Sequence, residues 1–119
     1  LIDQYFLAEP AVSYLIEDGD LRVLFDVGYS DVFLQNAAKL GIDPLSADYL
    51  VLSHGHIDHT GGLEPLIKRC MERRFEDSGA HCPEIVAHPE VFVPKVIENA
   101  FSIGISVSRR ACAAHMRIR

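Results

Sequence analysis

The chain has 119 residues, of which 49% are hydrophobic and 24% charged, a balance typical of one small globular domain that argues against disorder. The formal net charge is −6 and the sequence has no basic stripe, which disfavours binding to nucleic acid. No apolar run approaches the roughly 20 residues of a membrane-spanning helix, and no leader pattern opens the chain, so we expect no membrane partner and a cytoplasmic location.

The first predicted elements are a β-hairpin and a helix. Apolar residues alternate over 12–16 and again over 21–25, and Asp18-Gly19 between them suits a tight turn. Apolar residues then recur with helical spacing from Asp31 to Leu40, and Gly41 is a good C-terminal stop. The chain therefore opens with a hairpin followed by one helix.

The rest of the chain alternates between strands and helices. Short apolar runs between turn residues predict strands, and apolar residues at helical spacing predict helices. Strands and helices that alternate after a hairpin predict an α/β or α+β fold with helices layered on a sheet. The predicted elements are a strand buried on both faces (Asp48–Leu52), a helix from Leu63, a polar connection (Phe75–Pro83), a strand (Glu84–His88), and a helix over Pro89–Phe101 that Pro94 kinks or delays.

The three cysteines do not form a recognisable framework. Cys70, Cys82 and Cys112 are an odd number without C-x-x-C spacing, which argues against both a disulfide set and a cysteine-ligated structural zinc. Cys70 falls on the apolar face of a predicted helix, so we expect it in the core.

Both ends of the chain are unusual for a complete domain. The chain begins at Leu1 instead of methionine, and residues 107–119 form an atypical tail with neither clear periodicity nor a stop signal. We therefore expect residues 1–119 to be a single, incomplete domain that is truncated or altered at its ends.

The most informative segment follows the apolar run Tyr49–Leu52 and holds three histidines and an aspartate within six positions: His54, His56, Asp58 and His59. Imidazole nitrogen and carboxylate oxygen are donors that zinc accepts, and catalytic sites leave a position open for water. Residues two apart in an extended segment face the same side, so His54 and His56 can bind one ion, while Asp58 and His59 can face a second. Solvated surface histidines are the alternative reading, but this density favours a metal site.

This segment carries a family resemblance. The pattern H-x-H-x-D-H at His54–His59, preceded by Leu50–Ser53 and followed by Thr60–Gly62, resembles the signature of the metallo-β-lactamase-fold superfamily. Leu24–Gly28 resembles that family's earlier strand-end aspartate and glycine, and the likeness covers about residues 12–106. It implies an αββα sandwich, of which this chain would be the N-terminal half, and a dinuclear centre of zinc, iron or manganese.

Three further segments are similar to a narrower group within that superfamily. They are Asn36–Asp43, Ala87–Glu90 and Ser102–Ser106. The narrower group includes the dihydropterin ribofuranosyl-aminobenzene phosphate synthases and many uncharacterised hydrolases.

The resemblance also implies roles for individual residues. His54 and His56 would bind the first metal, and Asp58 and His59 the second, with Asp58 also orienting the attacking water as the catalytic residue. Asp26 would accept a hydrogen bond from a ligand histidine or a metal-bound water and fix its orientation. The competing interpretation makes Asp26 a cap or turn residue before Gly28.

His88 ends a predicted strand just before Pro89, which could bring it to the same sheet edge as the histidine loop. It is a candidate substrate or phosphate contact. A partly buried polar residue is the more frequent situation for histidine, so that reading is favoured.

Two functions follow from these motifs. The first is a metal-dependent hydrolase in which two divalent ions activate water against a small-molecule substrate, with phosphorylated compounds among the candidates. The family completes its centre with two more histidines and a bridging aspartate, and no convincing counterparts follow His59. The second is therefore a catalytically incomplete fragment that retains metal affinity.

Overall fold

A computed structural model describes residues 5–98 and 100–119. Four strands form one sheet in the order β1-β2-β3-β4, and no helix in the described part of the chain is long and apolar enough to cross a membrane. The strands are β1 (Tyr14–Asp18), β2 (Leu21–Phe25), β3 (Tyr49–Leu52) and β4 (Glu84–Ala87), and the helices are α1 (Val32–Lys39), α2 (Ile57–Thr60), α3 (Leu63–Glu76) and α4 (Arg109–Ala113).

The sheet is mixed. β1 and β2 pair antiparallel through the predicted hairpin, and Gly19 adopts a φ of 59° at the turn. β2, β3 and β4 run parallel, with Leu24 beside Leu50 and Leu50 beside Ile85. Parallel strands bring their C-terminal ends to one edge, so the loops after β2, β3 and β4 emerge next to each other.

The core lies on one face of this sheet. Leu24, Leu50 and Ile85 are buried beneath apolar residues of α1 and α3. Among these, Leu34 comes from α1 and Leu66 from α3, each at the helical spacing that faces the sheet. The two helices thereby hold the strand from which the histidine loop departs.

The prediction that β3 is buried on both faces was wrong. Leu50 and Leu52 are buried, whereas Tyr49 and Val51 on the opposite face are only half-buried. Within the described residues the helices of the core cover one face, so alternate residues of β3 differ in burial although all are apolar.

The helix from Leu63 was predicted correctly and is longer than expected. It continues to Glu76, so the polar connection begins at Asp77 and not at Phe75. Cys70 is fully buried, as predicted, and burial raises the pKa of its thiol.

The predicted helix over Pro89–Phe101 was wrong. A single 3-10 turn spans Pro89–Phe92, and the chain then forms a small hairpin of β5 (Val96–Ile97) and β6 (Phe101–Ser102). Pro94 accounts for the difference because it lacks an N–H donor and disfavours helical geometry in the preceding residue, which adopts φ −74° and ψ 133°.

Residues 107–119 take a defined place in the fold. Cys112 and Met116 are both buried in the core, and burial raises the pKa of the Cys112 thiol to about 11. The chain then lies parallel to β4, where the N–H of Ile85 donates to the Arg117 carbonyl at 2.7 Å. Val107 and Ile118 pack against the core as partly buried residues, so the apolar contacts of this segment come from a short helix and from extended chain on either side of it, which accounts for the lack of one clear period.

Candidate metal centre

The histidine loop begins where β3 ends and runs into the short helix α2. Ligand atoms of His54, His56 and Asp58 all lie within 4.8 Å of one another. His56 is exposed, and the other two side chains are partly buried, so the cluster faces solvent at the edge of the sheet. The sequence predicted two pairs of ligands, His54 with His56 and Asp58 with His59, whereas this group joins Asp58 to His54 and His56. The assignment of the ligands to two ions stays a prediction.

Glycines allow this loop to pass close to neighbouring backbone. A Cβ on Gly55 would lie 2.2 Å from the Val91 carbonyl oxygen, and one on Gly61 would lie 2.0 Å from the Tyr29 carbonyl oxygen. A Cβ on Gly62 would meet the Val27 carbonyl oxygen at 2.1 Å. A side chain at any of these positions would push the ligand loop away from its supports.

Asp26 anchors the loop from below. It is fully buried directly after β2, with φ at 57°, a conformation that non-glycine residues seldom adopt. Its Oδ1 accepts from the Ser53 N–H at 2.8 Å, and its Oδ2 accepts from the Ser53 hydroxyl at 2.6 Å and pairs with His59 Nδ1 at 2.7 Å. A buried carboxylate is tolerated because these donors satisfy it.

The hydrogen bonds around Asp26 also determine which histidine nitrogens are free. The Ser53 hydroxyl has one proton, which goes to Asp26, so at 2.9 Å from His54 Nδ1 it acts as the acceptor. His54 and His59 therefore both carry a proton on Nδ1, and when either ring is neutral its Nε2 lone pair is available to a metal.

His59 lies beside this group as well. Its ring centroid lies 4.2 Å from that of His54, and its Nε2 lies 3.5 Å from Asp58 Oδ2. The ring of His56 is 4.7 Å from that of His54. All four residues that the sequence singled out are thus adjacent in space.

Electrostatics favour the neutral form of His54. Burial lowers the pKa of its imidazole, and the neighbouring rings of His59 and His56 lower it further. A neutral imidazole is the form that binds metal. The donor set of imidazoles and a carboxylate, its free Nε2 atoms and its supporting aspartate together fit a divalent ion.

The chain matches one protein family over most of its length. A family model of the metallo-beta-lactamase superfamily matches residues 7–102. The chain belongs to this superfamily. The predicted membership and the predicted mixed α/β metallo-β-lactamase fold are confirmed.

Several known proteins are similar to this chain over part of their length. An uncharacterized protein of Methanocaldococcus jannaschii is 34% identical over 100 residues, covering 84% of this chain and 35% of the relative. The 7,8-dihydropterin-6-methyl-4-(beta-D-ribofuranosyl)-aminobenzene-5'-phosphate synthase of the same organism is 37% identical over 92 residues, covering 73% and 28%. A crystal structure described as a metal-dependent hydrolase of the beta-lactamase superfamily matches with a TM-score of 0.64 at 28% identity, covering 96% and 36%. The chain spans about a third of the length of these relatives.

His88 leaves the sheet beside the histidine loop, and its side chain is exposed. Ala87 is the register partner of Leu52, so His88 and Ser53 leave neighbouring strands at the same edge. The side chain is exposed, and its Nδ1 accepts from the Glu90 N–H at 3.2 Å, which caps the following turn. The expectation of partial burial was wrong, and a contact between His88 and substrate stays a prediction.

Two contacts that hold the histidine loop were not predicted from the sequence. Ser53 connects Asp26 to His54, and a serine placed directly before the motif was the available signal. Lys95 donates to the carbonyls of Glu90 and Val93 at 2.6 and 2.9 Å, which holds the turn against Gly55. Nothing in the local sequence indicates that second contact, because it depends on how the 90–95 turn folds back.

Proposed function

We propose that this chain carries the metal-binding loop of a metal-dependent hydrolase with zinc as its metal. The observation that carries the proposal is the convergence of His54, His56 and Asp58 within 4.8 Å at the C-terminal edge of a parallel sheet. Ligand sites of open α/β sheets lie at this edge, and this donor set suits a divalent ion.

Each residue of the loop has a role in this proposal. His54 and His56 bind a first ion, Asp58 and His59 a second, and Asp26 holds the loop in its binding geometry through Ser53 and His59. When bound, two such ions supply an acidified water and polarise the bond to be cleaved. Iron and manganese accept the same donors, so the metal is part of what the test decides.

Asp58 is the catalytic residue of the proposal. Its side chain is 47% exposed, and it borders a cavity together with His56. An ionised carboxylate in this position accepts a hydrogen bond from the attacking water and orients it toward the substrate. No serine or cysteine nucleophile is needed.

The proposed substrate is a small molecule, and phosphorylated compounds are one candidate class. The support for that class is the similarity to a relative whose name describes a ribofuranosyl-aminobenzene phosphate synthase. His88, which leaves β4 beside the histidine loop, is the proposed phosphate contact.

A second candidate function is metal binding without turnover. Across residues 5–98 and 100–119, one group of three mutually close ligands is found, and it is the His54, His56 and Asp58 cluster. A single such group favours one bound ion, whereas the water-activating chemistry proposed above uses two.

Zinc reconstitution of the full chain separates the two candidates. We expect about two ions per chain by elemental analysis, and zinc-dependent hydrolysis of p-nitrophenyl phosphate or its diester that Asp58→Asn reduces by about 100-fold or more. The matched control is Asp31→Asn, an exposed aspartate outside the loop, which retains the activity. One ion without turnover supports the second candidate, and absence of zinc binding contradicts both.

A further inference from the structure

The histidine loop, His54–His59, borders a cavity of about 420 Å³ that is lined mainly by apolar side chains. His56 and Asp58 are among its lining residues. The remaining lining residues are apolar or aromatic: Pro10, Tyr29, Ile57 and Ile103. A cavity of this size accommodates a ring or a short branched chain.

The apolar wall formed by Tyr29 is fixed to the metal loop by backbone contacts. The Tyr29 N–H donates to Glu9 Oε1 at 2.9 Å, and its carbonyl lies where a Cβ on Gly61 would be 2.0 Å away. The backbone of Tyr29 is thus held between the N-terminal segment and the glycines that end the motif. Its ring is 55% exposed, so the side chain is open to a ligand.

Ile103, another lining residue, is also held by backbone hydrogen bonds. The Ile103 carbonyl accepts from the Ile57 N–H at 2.8 Å, at the start of the helix that carries Asp58. The Ile103 N–H donates to the Lys95 carbonyl at 2.9 Å. Tyr29 and Ile103 are therefore both joined by backbone contacts to the segment 57–61, which carries Asp58 and His59.

We infer that this cavity binds an apolar group of the substrate, an aromatic ring or a branched aliphatic chain, directly beside the bond presented to the metals, with Tyr29 and Ile103 determining specificity. The inference rests on the proposed metal-dependent function. A cavity lined both by proposed metal ligands and by apolar residues favours a substrate that is polar at the reacting bond and apolar next to it. Burial of that apolar part would add affinity without touching the metal.

Metal-chelating probes of two sizes test this arrangement on the zinc-loaded full chain. Acetohydroxamic acid and phenylacetohydroxamic acid present the same chelating group and differ by a phenyl ring. We expect the phenyl compound to bind at least about tenfold more tightly, since burial of one ring contributes about this much. Tyr29→Ser should reduce the ratio to under about threefold and leave the affinity for zinc and for acetohydroxamic acid unchanged.

Two further variants separate a specific wall from a general effect on folding. Tyr29→Phe keeps the ring and should keep the ratio. Tyr14→Ser removes a tyrosine of similar exposure, 59%, that does not line the cavity, and it should also keep the ratio. A ratio near one in the parent chain, or an equal loss in Tyr14→Ser, overturns the inference.

The metal-free chain gives a readout that does not depend on the proposed function. Toluene added to the metal-free protein should shift the backbone amide resonances of Tyr29, Ile57 and Ile103 in heteronuclear NMR spectra. If these shifts occur and zinc does not bind, the cavity stands and the proposed function fails. If zinc binds but toluene leaves the three amides unchanged and the hydroxamates bind equally, the inference about the cavity fails and the proposed function stands.

Discussion

Asp26 determines the geometry of the site although it is not among the clustered ligands. It is buried, its backbone adopts φ of 57°, and it pairs with both Ser53 and His59. A residue in that strained conformation persists only where surrounding contacts hold it, and here those contacts are the hydrogen bonds that orient the histidines. Asp26 is thus both a turn residue, as its positive φ shows, and a hydrogen-bond partner of His59. Its role as a support of a metal site stays a prediction.

Asp26→Asn tests that support directly. The amide nitrogen that replaces one carboxylate oxygen would face N–H or O–H groups that now donate to Asp26, so at least one hydrogen bond that holds Ser53 or His59 is lost. We therefore expect zinc affinity to fall by about 10- to 100-fold. We also expect the free energy of unfolding to fall by about 1–3 kcal/mol because buried donors lose their partner. Calorimetric zinc titration and urea unfolding measure the two effects, and unchanged zinc affinity would contradict the role given to Asp26.

Ser53→Ala tests the proton assignment at His54. Without the hydroxyl, the Nδ1–H of His54 loses its acceptor. The tautomer that leaves Nε2 free for zinc is then no longer favoured, so we expect about a tenfold loss in zinc affinity. Ser53→Thr keeps the hydroxyl and should restore most of that affinity. The histidine signals in NMR spectra should show an Nδ1-protonated His54 in the parent chain, and an Nε2-protonated ring there would rule out the assignment.

At the scale of elements, the turn between α2 and α3 brings the metal loop against the strand end that carries Asp26. Gly61 and Gly62 make this possible, since their Cα atoms pack against the carbonyls of Tyr29 and Val27. The same contacts position Tyr29 beside the cavity. The close backbone contacts of Gly61 and Gly62 thus position both the histidine loop and Tyr29.

Gly61→Ala should disrupt these contacts. A Cβ placed 2.0 Å from the Tyr29 carbonyl oxygen forces backbone movement, and we expect a loss of about 1–3 kcal/mol in the free energy of unfolding. Gly79→Ala is the matched control because its Cβ would have ordinary contact with Asp77 at 3.5 Å, so we expect a change within about 0.5 kcal/mol. Equal stability of the two variants in thermal unfolding would show that the close approach is not required.

How far the sequence predicts an element depends on what determines that element. The hairpin, α1, β3, α3 and β4 follow from local patterns, because turn residues and apolar periodicity specify them. The segment after Pro89 does not, because Pro94 and the contacts of Lys95 fold it back on Gly55 against its helical composition. The site divides in the same way. The candidate ligands can be recognised because they fall within six positions of the sequence, His54–His59. Tyr29 and Ile103 are distant in sequence and come close to His56 and Asp58 only through tertiary contacts.

At the scale of the whole molecule, α3 is tied to the rest of the fold by an ion pair as well as by its apolar face. Arg73 donates to both carboxylate oxygens of Asp43 at 2.7 Å, and this hydrogen bonding lowers the pKa of Asp43. The pair joins the helix after the metal loop to the turn before β3. It therefore links the two ends of the strand–loop–helix unit.

This pair predicts a pH dependence of stability. Because the pKa of Asp43 is lower in the folded protein than the ordinary value of an aspartate, its contribution is present above that ordinary value and is lost as pH falls through the folded pKa. Both side chains are 43% exposed, so the contribution is about 0.2–1 kcal/mol. Asp43→Asn should be less stable than the parent in urea unfolding at neutral pH, and the difference should shrink in acid. A difference that persists in acid would contradict the prediction.

Calorimetric zinc titration of His54→Ala beside the parent chain tests whether the loop from His54 to His59 binds a divalent metal. His81→Ala serves as the control, since His81 lies outside the cluster and pairs with the Ala47 carbonyl. We expect the parent and His81→Ala to bind zinc, and His54→Ala to lose about 100-fold or more in zinc affinity. Equal zinc affinity in all three proteins would contradict metal binding by the loop.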